Sequence, residues 1–312
     1  MKKELLCACV AILSLSACSN VETPVDLTVN KEIAFKPITN VNSRAIVTGS
    51  TMPTERKIQA SASYINNSGN KVTYFEGAEF SNSSSTIWSC ATKYYWPLND
   101  GVDFLAYTLT DNTKATDVAW DGTAAAQSVS FDIADGDADD DDILYAAANN
   151  QKKVDANVGV GMKFNHAQAN LNFTIKTNVD VTIHSITFDE MYTGGKLTID
   201  NSKTDLKATW HFSATAAKKM VPGISDPNVI VAGTSDALAL GKSLLVPQQD
   251  AVGFTIDYTI GGNRSTYKVP VLRQVWEMGK KYTYAIDINF KEITINPSVT
   301  DWVVQSGEDI KI

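Results

Sequence analysis

The chain has 312 residues, of which 44% are hydrophobic, and its formal net charge at pH 7 is −8. An acidic balance of this size argues against nucleic acids and anionic membrane surfaces as partners, because both would repel the chain. Three of the four cysteines lie within the first 18 residues. The sequence therefore predicts no disulfide framework, and we expect Cys90 to be a buried structural thiol.

The start of the chain has the pattern of a bacterial export signal. Two lysines precede an apolar stretch from Leu5 to Ala17, which has the length of a signal-peptide core and is too short to span a bilayer. The residues Leu-Ser-Ala-Cys at 15–18 resemble the lipobox, in which the cysteine sulfur is acylated before cleavage. We predict a lipoprotein signal peptide at residues 1–17, with Cys18 as the lipidated residue.

The remaining chain is dominated by period-two apolar patterns, which are typical of β-strands. The clearest predicted strand is Tyr282 to Phe290, where aromatic and aliphatic residues alternate with polar ones. Similar runs are Val102 to Leu109, Leu171 to Ile175, Val181 to Phe188, Phe254 to Ile260 and Thr266 to Val271. Many short strands punctuated by Gly, Asn and Asp predict an all-β fold of β-sandwiches. We expect only short helices in loops, for example around Ser213 to Lys219.

The composition of the chain changes between Asp135 and Gly161, where an acidic run is followed by other polar residues. Domain boundaries tend to fall in polar segments of this kind. We place the boundary near the end of the segment, which predicts an N-terminal domain at residues 45–160 and a C-terminal domain at residues 161–312.

The acidic run at residues 135–142 invites a calcium interpretation. An EF-hand loop needs glycine at its sixth position and glutamate at its twelfth, whereas this run has Asp140 and Ala146 there. The sequence favours a solvated acidic loop and leaves open whether it binds calcium.

The sequence contains no signature of enzyme chemistry. The three histidines are far apart and fit no zinc motif, and there is no G-x-S-x-G elbow. Paired carboxylates could still come together in the fold. We predict no catalytic residues, no cofactor and no metal site. Three aromatic residues could stack on sugars, although core packing is their expected use: Trp120, Tyr192 and Trp210.

Six segments carry a family resemblance through their order and spacing. They are the lipobox start, Asn42–Ala45, Tyr94–Pro97 with Val102–Tyr107, Asp142–Ala146, Met162–Phe173, and Trp276–Tyr284 with Asn296–Trp302. Together they resemble the fimbrillin family, the lipoprotein-derived subunits of type V pili. The resemblance covers nearly the whole chain.

The resemblance implies two tandem β-sandwich domains of the transthyretin-like kind, on a precursor that reaches the outer membrane as a lipoprotein. There an arginine-specific surface protease would cut between Arg44 and Ala45, removing residues 18–44 with the lipidated tether and the first strand. The C-terminal strand of the next subunit would fill the groove that is left. The implied product is a structural subunit of an extracellular fimbrium, assembled head to tail with other copies or related pilus subunits.

Both ends of the chain contain residues suited to this exchange. An apolar trough beside unpaired backbone groups can bind an added strand, and a head-to-tail contact builds a filament. In the removable strand Ile33, Phe35 and Pro37 share one face. In the donor strand the candidate residues are Trp302, Val304, Ile310 and Ile312. A terminal strand packed on its own domain is the alternative for the last group.

Two other functions remain open on the sequence. The chain could be a lipid-anchored surface adhesin, or a tip or anchor pilus subunit, that binds a glycan or a host protein. It could also be a surface glycan hydrolase, although no catalytic pattern favours this. The sequence does not define the shaft, tip or anchor role, the adhesion target, the partner subunits or the strands that line the groove.

Overall fold

The computed structural model describes residues 31–38, 52–84, 86–98, 101–122, 127–136, 141–202, 205–213, 215–230, 232, 237–271, 273–289 and 291–302. All of them belong to one compact unit, Lys31–Ile312. Six residues of the predicted sites lie outside the described ranges: Cys18, Arg44, Ala45, Val304, Ile310 and Ile312. Within the described ranges, no helix is long and apolar enough to cross a membrane.

The described residues form 24 β-strands and one 3-10 helix, Asn112–Lys114, which confirms the all-β prediction. In chain order the strands are β1 (Ala34–Ile38), β2 (Ile58–Ile65), β3 (Lys71–Ser84), β4 (Ile87–Cys90), β5 (Val102–Thr108), β6 (Ala115–Asp121), β7 (Gln127–Ile133), β8 (Leu144–Gln151), β9 (Val160–Lys163), β10 (Asn165–His166), β11 (Gln168–Thr177), β12 (Val181–Met191), β13 (Gly195–Ser202), β14 (Asp205–His211), β15 (Ala217–Met220), β16 (Asn228–Ile230), β17 (Leu238–Ala239), β18 (Leu244–Pro247), β19 (Gln249–Asp250), β20 (Phe254–Ile260), β21 (Asn263–Val269), β22 (Val275–Trp276), β23 (Lys280–Ile288) and β24 (Ile293–Asp301).

The strands pair into an eight-stranded sheet and several smaller ones. The order in the large sheet is β10-β8-β5-β2-β3-β4-β1-β9. Two five-stranded sheets have the orders β17-β11-β23-β24, with β18 also on β11, and β15-β12-β20-β21, with β16 also on β12. A four-stranded sheet has the order β14-β13-β7-β6, and β19 pairs with β22.

The eight-stranded sheet is covered on both faces where β5 and β8 cross it. All seven residues of β5 are buried. Phe104 and Ala106 point into one hydrophobic core, whereas Leu105 and Tyr107 belong to another core that includes the four-stranded sheet. A strand covered on both faces loses the alternation of polar and apolar residues, which explains why this stretch is a nearly continuous apolar run.

A third core lies between the two five-stranded sheets. Phe173 of β11 meets Phe254 of β20 edge to face, with ring centroids 5.5 Å apart, and it stacks on Tyr284 of β23 at 5.3 Å. In β23 the alternate residues from Tyr282 to Ile288 are buried, as the period-two pattern predicts. This layered arrangement is a β-sandwich.

The predicted hairpin between Phe254 and Val271 is present, with one difference in its bounds. The second strand is Asn263–Val269 rather than Thr266 to Val271. Gly261 and Gly262 both have positive φ, +55° and +80°, which allows a two-residue turn that returns the chain directly into pairing. The strand therefore begins three residues earlier than the sequence pattern indicated.

The prediction of a helix around Ser213 to Lys219 is wrong where this segment forms regular secondary structure. Ala217–Met220 is a strand, and it pairs with β12 through Met191↔Ala217 and Thr187↔Met220. The alanines and lysines here favour a helix locally, but edge pairing to a long strand outweighs that weak preference.

The domain boundary predicted near residue 160 stays a prediction. Strands from both sides of that position share sheets, since β7 pairs with β13 and β8 pairs with β10. The structured strand β8 also lies inside the segment from Asp135 to Gly161 that looked like a break in texture.

Candidate assembly site

The first strand lies inside the eight-stranded sheet, where it is paired on both sides. It runs antiparallel to β4, with Phe35 opposite Trp88, and parallel to β9, from Phe35↔Val160 to Ile38↔Lys163. Pro37 lies beyond the residues that pair with β4, which suits a residue without a backbone N–H. The position that β1 occupies is called the slot below, and β4 and β9 are its walls.

The side chains of the first strand fill the core beneath the slot. Ile33, Phe35 and Pro37 are all buried, and Phe35 is 0% exposed. The Phe35 ring lies 4.2 Å from that of Phe80 and 5.3 Å from that of Phe104, centroid to centroid. Burying one such side chain contributes roughly 1.5–3 kcal/mol. Loss of β1 would therefore expose a trough lined by aromatic residues.

Backbone hydrogen bonds hold the first strand beyond its regular pairing. The Ile33 N–H donates to the Tyr94 carbonyl at 2.8 Å, and the Trp96 N–H donates to the Lys31 carbonyl at 3.0 Å. At the other end the Phe164 N–H donates to the Ile38 carbonyl at 3.1 Å. The segment from Lys31 to Ile38 is thus bonded along its whole length.

A glycine lets the second wall approach the first strand closely. Gly159 precedes β9 and has a φ of +67°. A Cβ at this position would lie 2.9 Å from the Phe35 carbonyl carbon and 3.0 Å from the Lys36 nitrogen. Any other residue would push β9 away from β1, in addition to the strain of the left-handed backbone.

The C-terminal strand ends in a buried tryptophan. β24 pairs with β23 at the edge of a five-stranded sheet, and most of its residues are exposed. Trp302 follows it and is 4% exposed. Its ring stacks on the imidazole of His166, with a centroid distance of 3.5 Å and an interplanar angle of 12°. Trp302 therefore packs on its own chain, and the described part of the chain ends there.

The comparisons with known proteins agree with this architecture. The sequence model of the fimbrillin-like family matches residues 43–302. The chain belongs to the fimbrillin-like family. No curated protein was found to match it.

Solved structures share the fold of this fimbrillin-like protein at low sequence identity. A candidate cell adhesion protein from Bacteroides uniformis is 17% identical, with a TM-score of 0.54 over 87% of this chain and 98% of its own. One from Bacteroides ovatus is 13% identical, with a TM-score of 0.57 over 89% and 100%. A fimbrial protein from Bacteroides vulgatus is 15% identical, with a TM-score of 0.52 over 86% and 99%.

A buried polar network holds the histidine that meets Trp302 in this fimbrillin-like chain. The His166 Nδ1 lies 2.8 Å from the Asp142 Oδ1, and Asp142 is 0% exposed. Arg56, which is 2% exposed, donates from Nη1 to the Asp142 carbonyl at 2.7 Å and from Nη2 to the Thr110 hydroxyl at 2.9 Å. Burial lowers the pKa of the Arg56 guanidinium, although Asp142 and Asp141 oppose that shift.

The acidic run is only partly the solvated loop that the sequence predicted. Asp141 and Asp142 are buried, and residues 137–140 lie outside the described ranges. The Asp141 carboxylate accepts hydrogen bonds from the Thr110 and Asp111 backbone N–H groups, while burial raises its pKa. The prediction failed for these two residues because partners distant in sequence compensate their burial. Their position directly before the apolar residues Ile143–Tyr145 was the available signal.

The cysteine and the three aromatic residues considered in the sequence analysis pack against other parts of the chain. Cys90 is a buried free thiol. Trp120 stacks on Tyr107 at 5.7 Å, and the buried Trp210 donates from Nε1 to the Ala167 carbonyl at 2.6 Å. Tyr192 stacks on Phe212. Among the described residues no group of three or more metal-ligating side chains comes together.

The slot walls and Arg56 were not anticipated from the sequence. β9 pairs with a strand about 120 residues earlier in the chain, and in parallel, so no turn signal connects the two. No local pattern marks Arg56, since the side-chain hydrogen bonds described above reach residues 54 and 86 positions further on. Local patterns in a sequence carry no information on pairings between residues so far apart.

Proposed function

We propose that this fimbrillin-like protein is a structural subunit of a cell-surface pilus that polymerises by donor-strand exchange after cleavage at Arg44. Family membership supports the coarser role of a pilus-related adhesion subunit at the cell surface, with a structural rather than an enzymatic task. The observation that carries the finer proposal is the place of β1. It is paired on both sides and buries Phe35, yet it precedes all the other strands of the described ranges.

One cut between the first two strands is enough to make the first strand removable. Residues 39–51 connect β1 to Met52, and Arg44 lies within that connection. After the cut only non-covalent contacts retain the segment in the slot, namely hydrogen bonds, apolar contacts and the ion pairs Lys31–Asp155 and Lys93–Glu32. Its departure would leave unpaired backbone groups on β4 and β9 above the Phe80 and Phe104 rings, which is the kind of surface that binds an extended segment.

The proposed donor is the C-terminal segment of the next subunit. The sequence after Trp302 contains Val304 and ends in Ile310-Lys311-Ile312, an alternation suited to a strand with one buried face. Because donor and acceptor are different surfaces, each subunit can donate and accept, and the contact repeats head to tail. Cys18 would leave with β1, so the lipid serves transport of the precursor and the mature subunit joins the fimbrium.

The proposal is tested by changing the cleavage site in two ways. We expect Arg44→Ala to give a folded, lipidated precursor that forms no filaments. The Arg44→Lys protein should also resist an arginine-specific protease and form no filaments. Brief trypsin treatment should cut it after the lysine, however, and start polymerisation. The measurements are mass spectrometry of surface-sheared material, with an N-terminus expected at Ala45, and heat-labile ladders on gels. Filaments formed by the Arg44→Ala protein would overturn the proposal.

A further inference from the structure

We infer that Trp302 and His166 form an anchor that fixes the point from which the C-terminal segment leaves the subunit, and so positions that segment for assembly. The inference rests on the proposed donor-strand exchange. It assigns Trp302 to the root of the donor segment, and the residues after it to the part that enters the slot of the next subunit.

The contact between the two rings is where the C-terminal strand changes from exposed to buried. The last residues of β24 before Trp302 are exposed. The Trp302 ring is covered by His166, which is 7% exposed. The backbone N–H of Trp302 donates to the Gly279 carbonyl at 2.7 Å. Both the side chain and the backbone of Trp302 are therefore fixed, immediately before the segment that would be donated.

The histidine ring is itself held in place from behind. Its Nδ1 is bonded to Asp142, and Asp142 is held by Arg56 through its carbonyl and by an ion pair of 3.7 Å between the Arg56 Nη2 and the Asp142 Oδ2. A buried and mutually bonded set of polar groups is rigid, because any rearrangement would leave one member without a partner. The surface on which Trp302 lies is thus preorganised.

The anchor is connected to both walls of the slot in the same subunit. His166 ends β10, and only Phe164 and Asn165 separate it from Lys163, the last residue of β9, so about 10 Å of chain joins this wall to the anchor. The other wall, β4, contributes Trp88, whose Nε1 donates to the Arg56 carbonyl at 3.2 Å. Slot and donor root therefore belong to one rigid assembly of contacts.

This connection gives the donor segment a defined start relative to the slot. A segment that hung from a mobile residue would lose more conformational freedom when it bound the next subunit, and binding would be slower or weaker. With Trp302 fixed, only the residues that enter the slot have to become ordered.

The test separates donation from acceptance. The acceptor is a cleaved subunit that lacks residues 303–312, so it can only accept, and the donor is the uncut Arg44→Ala protein, which can only donate. In the donor, Trp302→Leu keeps an apolar side chain but removes the planar stack, whereas Trp302→Phe keeps a stacking ring. The Trp302→Phe variant should lose no hydrogen bond, since the Trp302 Nε1 has no partner among the described residues. Val299→Ala, an exposed change on β24, is the matched control.

We expect the rate of heterodimer formation on gels to fall about two- to tenfold for Trp302→Leu, the range that a lost aromatic stack corresponds to. Trp302→Phe and Val299→Ala should stay within about twofold of the parent donor. Thermal unfolding of each donor checks that it is folded. Equal rates for the Trp302→Leu, Trp302→Phe and parent donors would overturn the proposed role of Trp302 as an anchor. A synthetic peptide of residues 303–312 distinguishes the other failure, because an acceptor that binds neither peptide nor donor refutes the proposed exchange itself.

Discussion

At the scale of single residues, burial of the first strand depends most on one phenylalanine. Phe35 is fully buried and touches aromatic rings from β3 and β5, whereas its neighbours Lys36 and Ile38 are exposed. Core aromatic residues contribute through both the apolar area they bury and the cavity that their loss creates. The first strand is therefore attached chiefly by its inward side chains.

Phe35→Ala should lower the stability of the uncut precursor by about 3–5 kcal/mol, as for other large-to-small changes in a core. Lys36→Ala, on the exposed face, should change it by less than about 0.5 kcal/mol. Urea unfolding of the two precursors measures the difference. After cleavage and loss of β1 the two proteins are identical, so their stabilities should agree. A difference that persisted in the cleaved proteins would show that β1 had not left.

At the scale of elements, the hairpin of β20 and β21 combines a tight turn with an ion pair across the strands. The Arg264 Nε donates to the Asp257 Oδ1 at 3.0 Å and the Arg264 Nη2 to the Oδ2 at 2.7 Å. Hydrogen bonding from Arg264 lowers the pKa of Asp257 below its ordinary value of 3.8. A carboxyl group with a lowered pKa in the folded state stabilises that state at pH values above its ordinary pKa, and the contribution disappears as the pH falls through the lowered pKa.

Asp257→Asn should therefore destabilise the protein at pH 7, by at most about 1 kcal/mol because the pair is partly exposed. The difference from the parent protein should shrink as the pH is lowered through and below 3.8. Urea unfolding at pH 7 and pH 3 tests this, with Asp200→Asn on β13 as a control at an exposed strand position. A difference that grew towards low pH would contradict the assigned cause.

At the scale of the whole molecule, the proposed subunit is incomplete without a strand in its slot. A ligand that binds only the folded form stabilises it in proportion to its affinity and concentration. The cleaved monomer with an empty slot should accordingly unfold at a lower temperature than the precursor, and a synthetic peptide of residues 31–38 should raise that temperature by several degrees. A peptide with Ile33 and Phe35 replaced by asparagine should not. Thermal scans that showed no response to either peptide would argue against a slot formed by the loss of β1.

Much of the fold followed from local patterns, whereas the candidate site did so only in part. Alternation from Tyr282 to Ile288 predicts a strand and its buried face, because both depend on the period of one segment. The burial of Asp142 depends on Arg56 and His166, which are distant in sequence and adjacent only after folding. Ala217–Met220 shows the same limit, since its partner β12 decides its conformation. The sequence pattern indicated which residues of β1 share a face, but it did not indicate that β4 and β9 pair with this strand.

The covalent link between the first strand and its slot has a consequence for timing. While residues 39–51 are intact, β1 competes with any incoming strand at the high effective concentration of an intramolecular partner, which reaches the millimolar range for short linkers. In the proposed exchange a dilute donor segment would not displace it, so the precursor would be protected from premature association. The proposed cleavage would turn β1 into a separate peptide that is lost by dilution. The cut would thus change the entropy of one contact and leave the slot itself as it was.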